Sequence, residues 1–180
     1  MIKVSGISLL VLGMFTSFAS SGYECKPNSI EATTRVENFL NNKDGTVTDL
    51  RFGLVWQICT FGQQYSVEND NCIGDPTPIN TWSDAVHSQD EFNSQNPQQF
   101  DDWRLPNIKE LQSIVERQCR QPAIRTDIFK GTANGVYWSN TPDNTVNGLG
   151  GRIVDFSDGV EFFRATEPVK FVRHVRAINN

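Results

Sequence analysis

The chain has 180 residues, of which 38% are hydrophobic and 21% are charged, a composition typical of a globular protein with one domain. Its formal net charge is −5 at pH 7, from 16 basic and 21 acidic residues. This acidity argues against a nucleic-acid-binding protein, because the attraction to phosphates that supplies most non-specific affinity would be reversed.

The first residues have the pattern of a secretory signal peptide. Lys3 supplies a positive charge, residues 7–18 form an apolar run, and small residues near position 18 offer a cleavage point. The run is too short for a comfortable membrane span. We therefore predict a signal peptide over residues 1–19, no membrane insertion of the mature chain, and a periplasmic or secreted protein. A retained N-terminal anchor is the alternative.

All four cysteines follow the predicted cleavage point. An even number in an oxidising compartment predicts two disulfides, for which three connectivities are possible. We favour Cys59 with Cys72, which closes a short polar loop, and Cys25 with Cys119, which tethers the N-terminal segment. The spacings fit neither a redox motif nor a zinc site, so no metal or cofactor is expected.

The N-terminal half begins with a polar lead-in over residues 20–34. A β-branched segment at residues 46–49 and an apolar one at 54–56 predict a hairpin connected through residues 50–53. Residues 60–80 are rich in Gly, Asn, Asp and Pro, which predicts a surface excursion held by the bridge between Cys59 and Cys72.

Two helices are predicted from their N-terminal caps. Thr81, with Asp84 three residues later, begins an amphipathic helix that we expect to end near residue 89. Asn107 and Glu110 form a capping box directly after Pro106, which prevents the helix from starting earlier. The apolar stripe behind this box predicts a helix that ends between residues 117 and 120.

The C-terminal part has the pattern of β-structure. Strands are predicted at residues 136–139, 152–156, 160–163 and 171–177, with a long loop over residues 141–151. Strands, then two helices, then strands predict an α+β domain over residues 35–180, with an antiparallel sheet and helices on one side. We expect the first and last strands to lie side by side.

Several motifs in this order resemble one bacterial family, named for the C-terminal domain of the collagen-like adhesin Lcl. They cover nearly the whole mature chain, and together they are specific although each alone is weak. The segments that carry the resemblance are residues 44–49, 53–57, 81–85, 102–111, 122–129, 137–142, 154–159 and 172–176. Cys59 and Cys72 also resemble a cysteine pair seen in many members.

The resemblance implies a fold related to C-type lectins and to the formylglycine-generating enzyme domain, with two helices and a variable loop face. In the adhesin, the domain is implicated in binding sulfated polysaccharides. The fold hosts many functions, so the ligand does not follow from the fold.

Ligand-binding residues are predicted mainly in the loops over residues 125–150, and also in residues 60–80. Tyr137 and Trp138 precede the long loop and are candidates for stacking on a sugar, whereas the other tryptophans are expected in the core. Asp143 and Asn144, or Asp101 with Asp102, are candidates for calcium binding, with solvated acidic side chains as the alternative we prefer.

Cationic residues cluster after the second predicted helix. Arg120, Arg125 and Lys130, with Arg117, are candidates for an anion-binding patch, although the helix dipole alone would explain Arg117 and Arg120. Arg104, between Trp103 and Leu105, needs a partner, for which we expect an acid such as Asp155.

No catalytic motif is found: the chain has two histidines, His87 and His174, and neither belongs to a nucleophile elbow or a metal motif. We therefore predict a non-catalytic, adhesin-like exported module that binds a glycan or a protein through its loops. The alternative is a periplasmic interaction partner, such as an inhibitor or immunity protein for a secreted toxin.

Overall fold

The computed structural model of the chain describes residues 22–95, 100–144, 150–162 and 169–178. The predicted signal peptide and the middle of the predicted loop, residues 145–149, lie outside the described residues.

The described residues form two α-helices and twelve short strands, a mixed α+β architecture of several small sheets. The helices are α1 (Trp82–Gln95) and α2 (Ile108–Ser113), and Val36–Asn38 is a single 3-10 turn. The strands are β1 (Glu24–Cys25), β2 (Phe39–Asn41), β3 (Thr46–Asp49), β4 (Leu54–Gln57), β5 (Gln64–Ser66), β6 (Asn71–Ile73), β7 (Cys119–Arg120), β8 (Val136–Asp143), β9 (Gly150–Asp155), β10 (Val160–Phe162), β11 (Lys170–Phe171) and β12 (Val175–Ala177).

The predicted hairpin is the centre of an antiparallel sheet with the strand order β12-β4-β3-β2. Thr46 of β3 lies opposite Gln57 of β4, and residues 50–53 connect the two strands as predicted. β2, which the sequence pattern did not predict, pairs with the outer side of β3. β12 pairs with β4, so the last described strand lies beside the second strand of the N-terminal hairpin rather than beside the first strand, as had been expected.

A second sheet has the order β10-β9-β8-β11, and β11 joins it parallel to β8. β8 continues to Asp143 and β9 begins at Gly150, so the predicted loop over residues 141–151 is wrong at both ends. The single strand predicted over residues 171–177 is in fact two, with β11 in this sheet and β12 in the other.

The largest cluster of buried apolar side chains joins the two sheets to α2. Trp56 comes from the first sheet, Tyr137 from the second and Leu111 from α2, and all three are fully buried. The prediction of core tryptophans is confirmed for Trp56 and Trp103, which are buried, whereas Trp82 is half-buried.

A buried carboxylate holds the N-terminal segment. Glu116 is fully buried and accepts five hydrogen bonds, from the backbone N–H and the hydroxyl of both Thr33 and Thr34 and from the N–H of Gln118. Burial by itself would raise the pKa of Glu116, but these hydrogen bonds lower it below its usual value. The end of the lead-in is thus firmly packed, contrary to its polar sequence.

Helix α2 begins as predicted. The Asn107 side chain accepts the N–H of Glu110 at 3.0 Å, and the Glu110 carboxylate accepts the N–H of Asn107 at 2.7 Å. Glu110 also forms a two-pronged ion pair with Arg104, so the predicted pairing of Arg104 with Asp155 is wrong. Since the helix cap and Arg104 share the Glu110 carboxylate, the segment that carries Arg104 and the start of α2 are held in a fixed position relative to each other.

Helix α2 ends at Ser113, not between residues 117 and 120 as predicted. The next residue, Ile114, leaves the helical conformation, and Val115 then pairs as an isolated β-bridge with Ile124. Tertiary pairing therefore overrides the helical spacing of the apolar residues. Arg117 and Arg120 lie beyond the helix end, so the helix dipole does not explain their positions.

Replacing Asn107 by alanine removes one half of the capping box. We expect the free energy of unfolding to fall by about 1 kcal/mol, because the Glu110 N–H loses its acceptor. Urea denaturation measures the change. Asn107→Asp keeps an acceptor in place and is expected to retain most of the stability; an equal loss in both variants would contradict the capping role.

Helix α1 starts at the predicted cap, where the Thr81 hydroxyl accepts the N–H of Asp84. It continues to Gln95, six residues past the predicted end. The extension is anchored by Asn93, whose side chain bonds both the carbonyl oxygen and the N–H of Trp103. Among the described residues, neither helix is long and apolar enough to cross a membrane.

Both predicted disulfides are confirmed. Cys25 is bonded to Cys119 and Cys59 to Cys72, and the described residues contain no free cysteine. The first bridge joins the paired strands β1 and β7, and the second closes the excursion that carries β5 and β6. Two such bonds indicate an oxidising, extracytoplasmic compartment.

Candidate functional site

The predicted aromatic ligand residues are buried. Tyr137 is 0% exposed and its hydroxyl lies 2.8 Å from that of Thr60; Trp138 is 6% exposed and donates to the carbonyl of Ile79. Neither ring is available to stack on a sugar, which corrects the prediction for these two residues. Alternation along β8 places the two side chains on opposite faces, and both faces are covered.

Three of the four predicted cationic residues, Arg120, Arg125 and Lys130, are each paired with an acid. Arg120 binds Glu24, which is its neighbour across the β1–β7 pair. Arg125 binds Asp127, two residues away, and Lys130 binds Asp70. The predicted patch is therefore divided among three separate ion pairs.

Asp143 and Asn144 lie at the end of β8, where Asp143 is buried and Asn144 is exposed. Within the described residues, no group of three or more His, Cys, Asp or Glu side chains is placed to hold a metal ion.

A cleft of about 470 Å³ lies elsewhere; none of the individually named ligand candidates lines it, but three residues of the predicted segment 60–80 do. The register of the first sheet explains its position, since residues paired across antiparallel strands point to the same face. Val47, Trp56 and Val175 are paired in one row and face the core. Thr46 and Gln57 therefore face away from the core and form part of the cleft wall. The lining is aromatic and polar: Asp44, Gly45, Thr46, Gln57, Gln63, Gln64, Tyr65, Phe92, Phe100 and Trp103.

Strand β5 forms one wall, with Tyr65 packed on the turn before β3. Gly45 has a φ of +92°, which favours glycine, and a Cβ atom there would lie 2.9 Å from Cβ of Tyr65. A side chain at residue 45 would thus push Tyr65 away from its present position.

A series of polar contacts also holds the β5 wall of the cleft in place. The Tyr65 hydroxyl donates to Asp70, and Lys130 binds both the carboxylate and the backbone carbonyl of Asp70. The bond to Asp70 is the main cause that raises the pKa of Tyr65 to about 12, so the phenol stays protonated. The bond from Lys130, followed by that from Tyr65, lowers the pKa of Asp70. Lys130, predicted to touch a ligand, instead holds the wall.

The opposite wall is aromatic and belongs to α1 and the segment after it. The Phe92 ring meets that of Trp103 edge to face, with centroids 5.8 Å apart. Phe100 is 38% exposed, and the guanidinium carbon of Arg176 lies 3.4 Å from its ring centroid. Phe92 and Phe100 thus bring apolar ring surface to the cleft.

The polar groups of the cleft differ in how they are used. The Gln63 side chain accepts from Thr60 and donates to Gly74, so it mainly shapes the excursion. Asp44 accepts the N–H and the hydroxyl of Thr46. The side-chain amides of Gln57 and Gln64, in contrast, have no hydrogen bond to any described residue. Each amide offers donors and an acceptor to a ligand.

A buried serine–histidine contact lies behind the aromatic wall. Nε2 of His174 is 2.9 Å from the Ser88 hydroxyl, and its ring lies 5.0 Å from that of Phe92. Burial lowers the pKa of His174 to about 3, so the imidazole is neutral at physiological pH. Both side chains are buried, and a substrate does not reach them.

The part of the chain from the turn before β3 into β12 matches a known family. The model of the Lcl C-terminal domain family matches residues 45–176. The chain belongs to this family. The matched residues contain both helices, the whole second sheet, and every residue of the cleft lining except Asp44. Of the first sheet they contain β3, β4 and most of β12, whereas β2 precedes them. No curated protein and no solved structure matches the chain.

Sequence reasoning missed most of the cleft because its residues come from five separate stretches of the chain: residues 44–46, 57, 63–65, 92 and 100–103. The one segment predicted correctly is residues 60–80, which contains three of the lining residues, Gln63, Gln64 and Tyr65. One local signal was available: Trp56 is apolar and Gln57 polar, and strand alternation places the amide on the other face.

Proposed function

We propose that this Lcl C-terminal domain is a non-catalytic, exported binding module that holds a glycan in the cleft. The observation that carries the proposal is the combination of ring surfaces from Tyr65, Phe92 and Phe100 with the amides of Gln57 and Gln64, which have no hydrogen bond to a described residue. The volume of the cleft lies within the range of roughly 300–1,000 Å³ that is typical of small-molecule binding sites. A sugar has apolar C–H faces for the rings and hydroxyl groups for the amides.

Export to the periplasm or the cell exterior is part of the proposal. The two disulfides and the signal-like N-terminal sequence support it. A fold related to C-type lectins is also proposed, supported by the family membership and by a last described strand that lies beside the N-terminal hairpin.

A glycan array with the mature protein tests the function. For a glycan that binds, Gln57→Ala and Gln64→Ala are each expected to weaken binding by about tenfold, as measured by calorimetry, because each removes hydrogen bonds to the ligand. Asn140→Ala is the matched control, since Asn140 is an exposed amide on β8 outside the cleft. Unchanged affinity in both glutamine variants would contradict the assignment of the cleft.

A protein partner, such as a toxin for which this chain is an inhibitor or immunity protein, is the second candidate. It is favoured by Leu50 and Phe52, which are 59% and 57% exposed on the connection between β3 and β4. Co-purification of one stoichiometric protein, lost in the variant with Leu50→Asp and Phe52→Asp, would support this candidate over the glycan.

A further inference from the structure

Among the described residues, the lining of the cleft contains an acid and no base. Asp44 is the one charged side chain of this described lining, and its other polar side chains are a threonine, a tyrosine, three glutamine amides and the indole of Trp103. A sulfate or carboxylate group bound among them would lose water without gaining a cation. It would also lie near the Asp44 carboxylate, a like charge that further disfavours it.

Three basic residues of the described chain lie close to the cleft, and two of them, Lys130 and Arg176, are paired with acids that are not part of its lining. Lys130 binds the carboxylate and the carbonyl of Asp70. Lys43, in the turn beside Asp44, helps to lower the pKa of Asp70 by its charge. Arg176 is only 6% exposed, and Phe100 covers its guanidinium, which also donates to the carbonyl of Ala177. None of these side chains belongs to the lining.

We infer that the cleft selects an uncharged sugar rather than a sulfated or uronic one. The inference rests on the proposed glycan function and adds the chemical class of the ligand. Side-chain amides suit this class because they donate to and accept from hydroxyl groups without a net charge. Gln57 and Gln64 provide such amides on two neighbouring elements, β4 and β5.

The test compares oligosaccharides of equal length by calorimetry: uncharged cellotetraose, maltotetraose and chitotetraose against tetragalacturonate and a sulfated heparin tetrasaccharide. We expect at least one uncharged probe to bind about tenfold or more tightly than either acidic probe. Its affinity is expected to change by less than about twofold between 50 and 500 mM NaCl, because no ion pair is formed.

Asp44→Asn separates the charge from the shape of the turn, since the amide oxygen still accepts the Thr46 N–H. This variant is expected to strengthen binding of the acidic probes by about threefold relative to the uncharged probe. Asp158→Asn is the matched control: Asp158 is exposed, precedes a glycine and accepts the N–H of the residue two positions later, but lies outside the cleft. It is expected to change neither affinity.

Two results would overturn the inference, with different consequences. Tighter binding of an acidic probe, with loss of affinity at high salt and on Gln57→Ala, would overturn the uncharged class and leave the glycan function intact. Binding of no probe and of no glycan on the array would overturn both.

Discussion

Replacing Glu116 by alanine is expected to lower the free energy of unfolding by about 3–5 kcal/mol. The carboxylate is fully buried and accepts five hydrogen bonds. Without this carboxylate, the backbone N–H groups of Thr33 and Thr34 lose their acceptors, and Thr34 lies in the protein interior. Urea denaturation at pH 7 measures the loss.

The matched control is Glu31→Ala, which removes an acid from the same N-terminal segment. Glu31 is exposed and forms an ion pair with Arg35, four residues later in the chain, so we expect a change of less than about 0.5 kcal/mol. Equal losses in the two variants would mean that the network at Glu116 does not stabilise the fold.

Acidification is expected to destabilise the protein well above the range in which carboxylates titrate. The unfolded chain protonates His174 near pH 6.5, whereas burial keeps the native imidazole neutral down to about pH 3. The unfolded state therefore binds more protons, and stability falls as the pH decreases, by about 1.4 kcal/mol per pH unit. Between pH 6.5 and 5 we expect a loss of roughly 2 kcal/mol.

His174→Phe removes the titrating group and suits the neighbouring rings of Phe61 and Phe92. Ser88 keeps its bond to the carbonyl of Ala85. The expected result is a flat stability between pH 6.5 and 5, whatever the absolute stability of the variant. His87→Gln, at an exposed position on α1, is expected to keep the wild-type slope. A slope that survives in His174→Phe would assign the acid sensitivity to another group.

The features predicted correctly from the sequence depend on residues close together in the chain. The capping box needs Asn107 and Glu110, three residues apart, and the hairpin needs one β-branched and one apolar segment with a four-residue connection. The bridge of Cys59 to Cys72 closes a short loop. In each case the local chemistry and the final packing favour the same structure.

The features that were missed depend on contacts between distant segments. Helix α2 is shorter than its apolar spacing indicates, because Val115 pairs with Ile124. Lys130 was expected to face a ligand, but Asp70, sixty positions earlier, binds it. The cleft could not be found from motifs, since Gln57, Tyr65 and Phe100 meet only when the first sheet, the excursion and the segment after α1 are assembled.

The pairing of β12 with β4 has a consequence for biosynthesis. A sheet that takes one strand from residues 54–57 and its neighbour from residues 175–177 is incomplete while the ribosome is still making the second half. The nascent polypeptide therefore cannot complete the pairing of the first sheet until its C-terminal residues have been synthesised. Such a delay is compatible with the export that we propose, in which the chain would cross a membrane unfolded before its cysteines are oxidised.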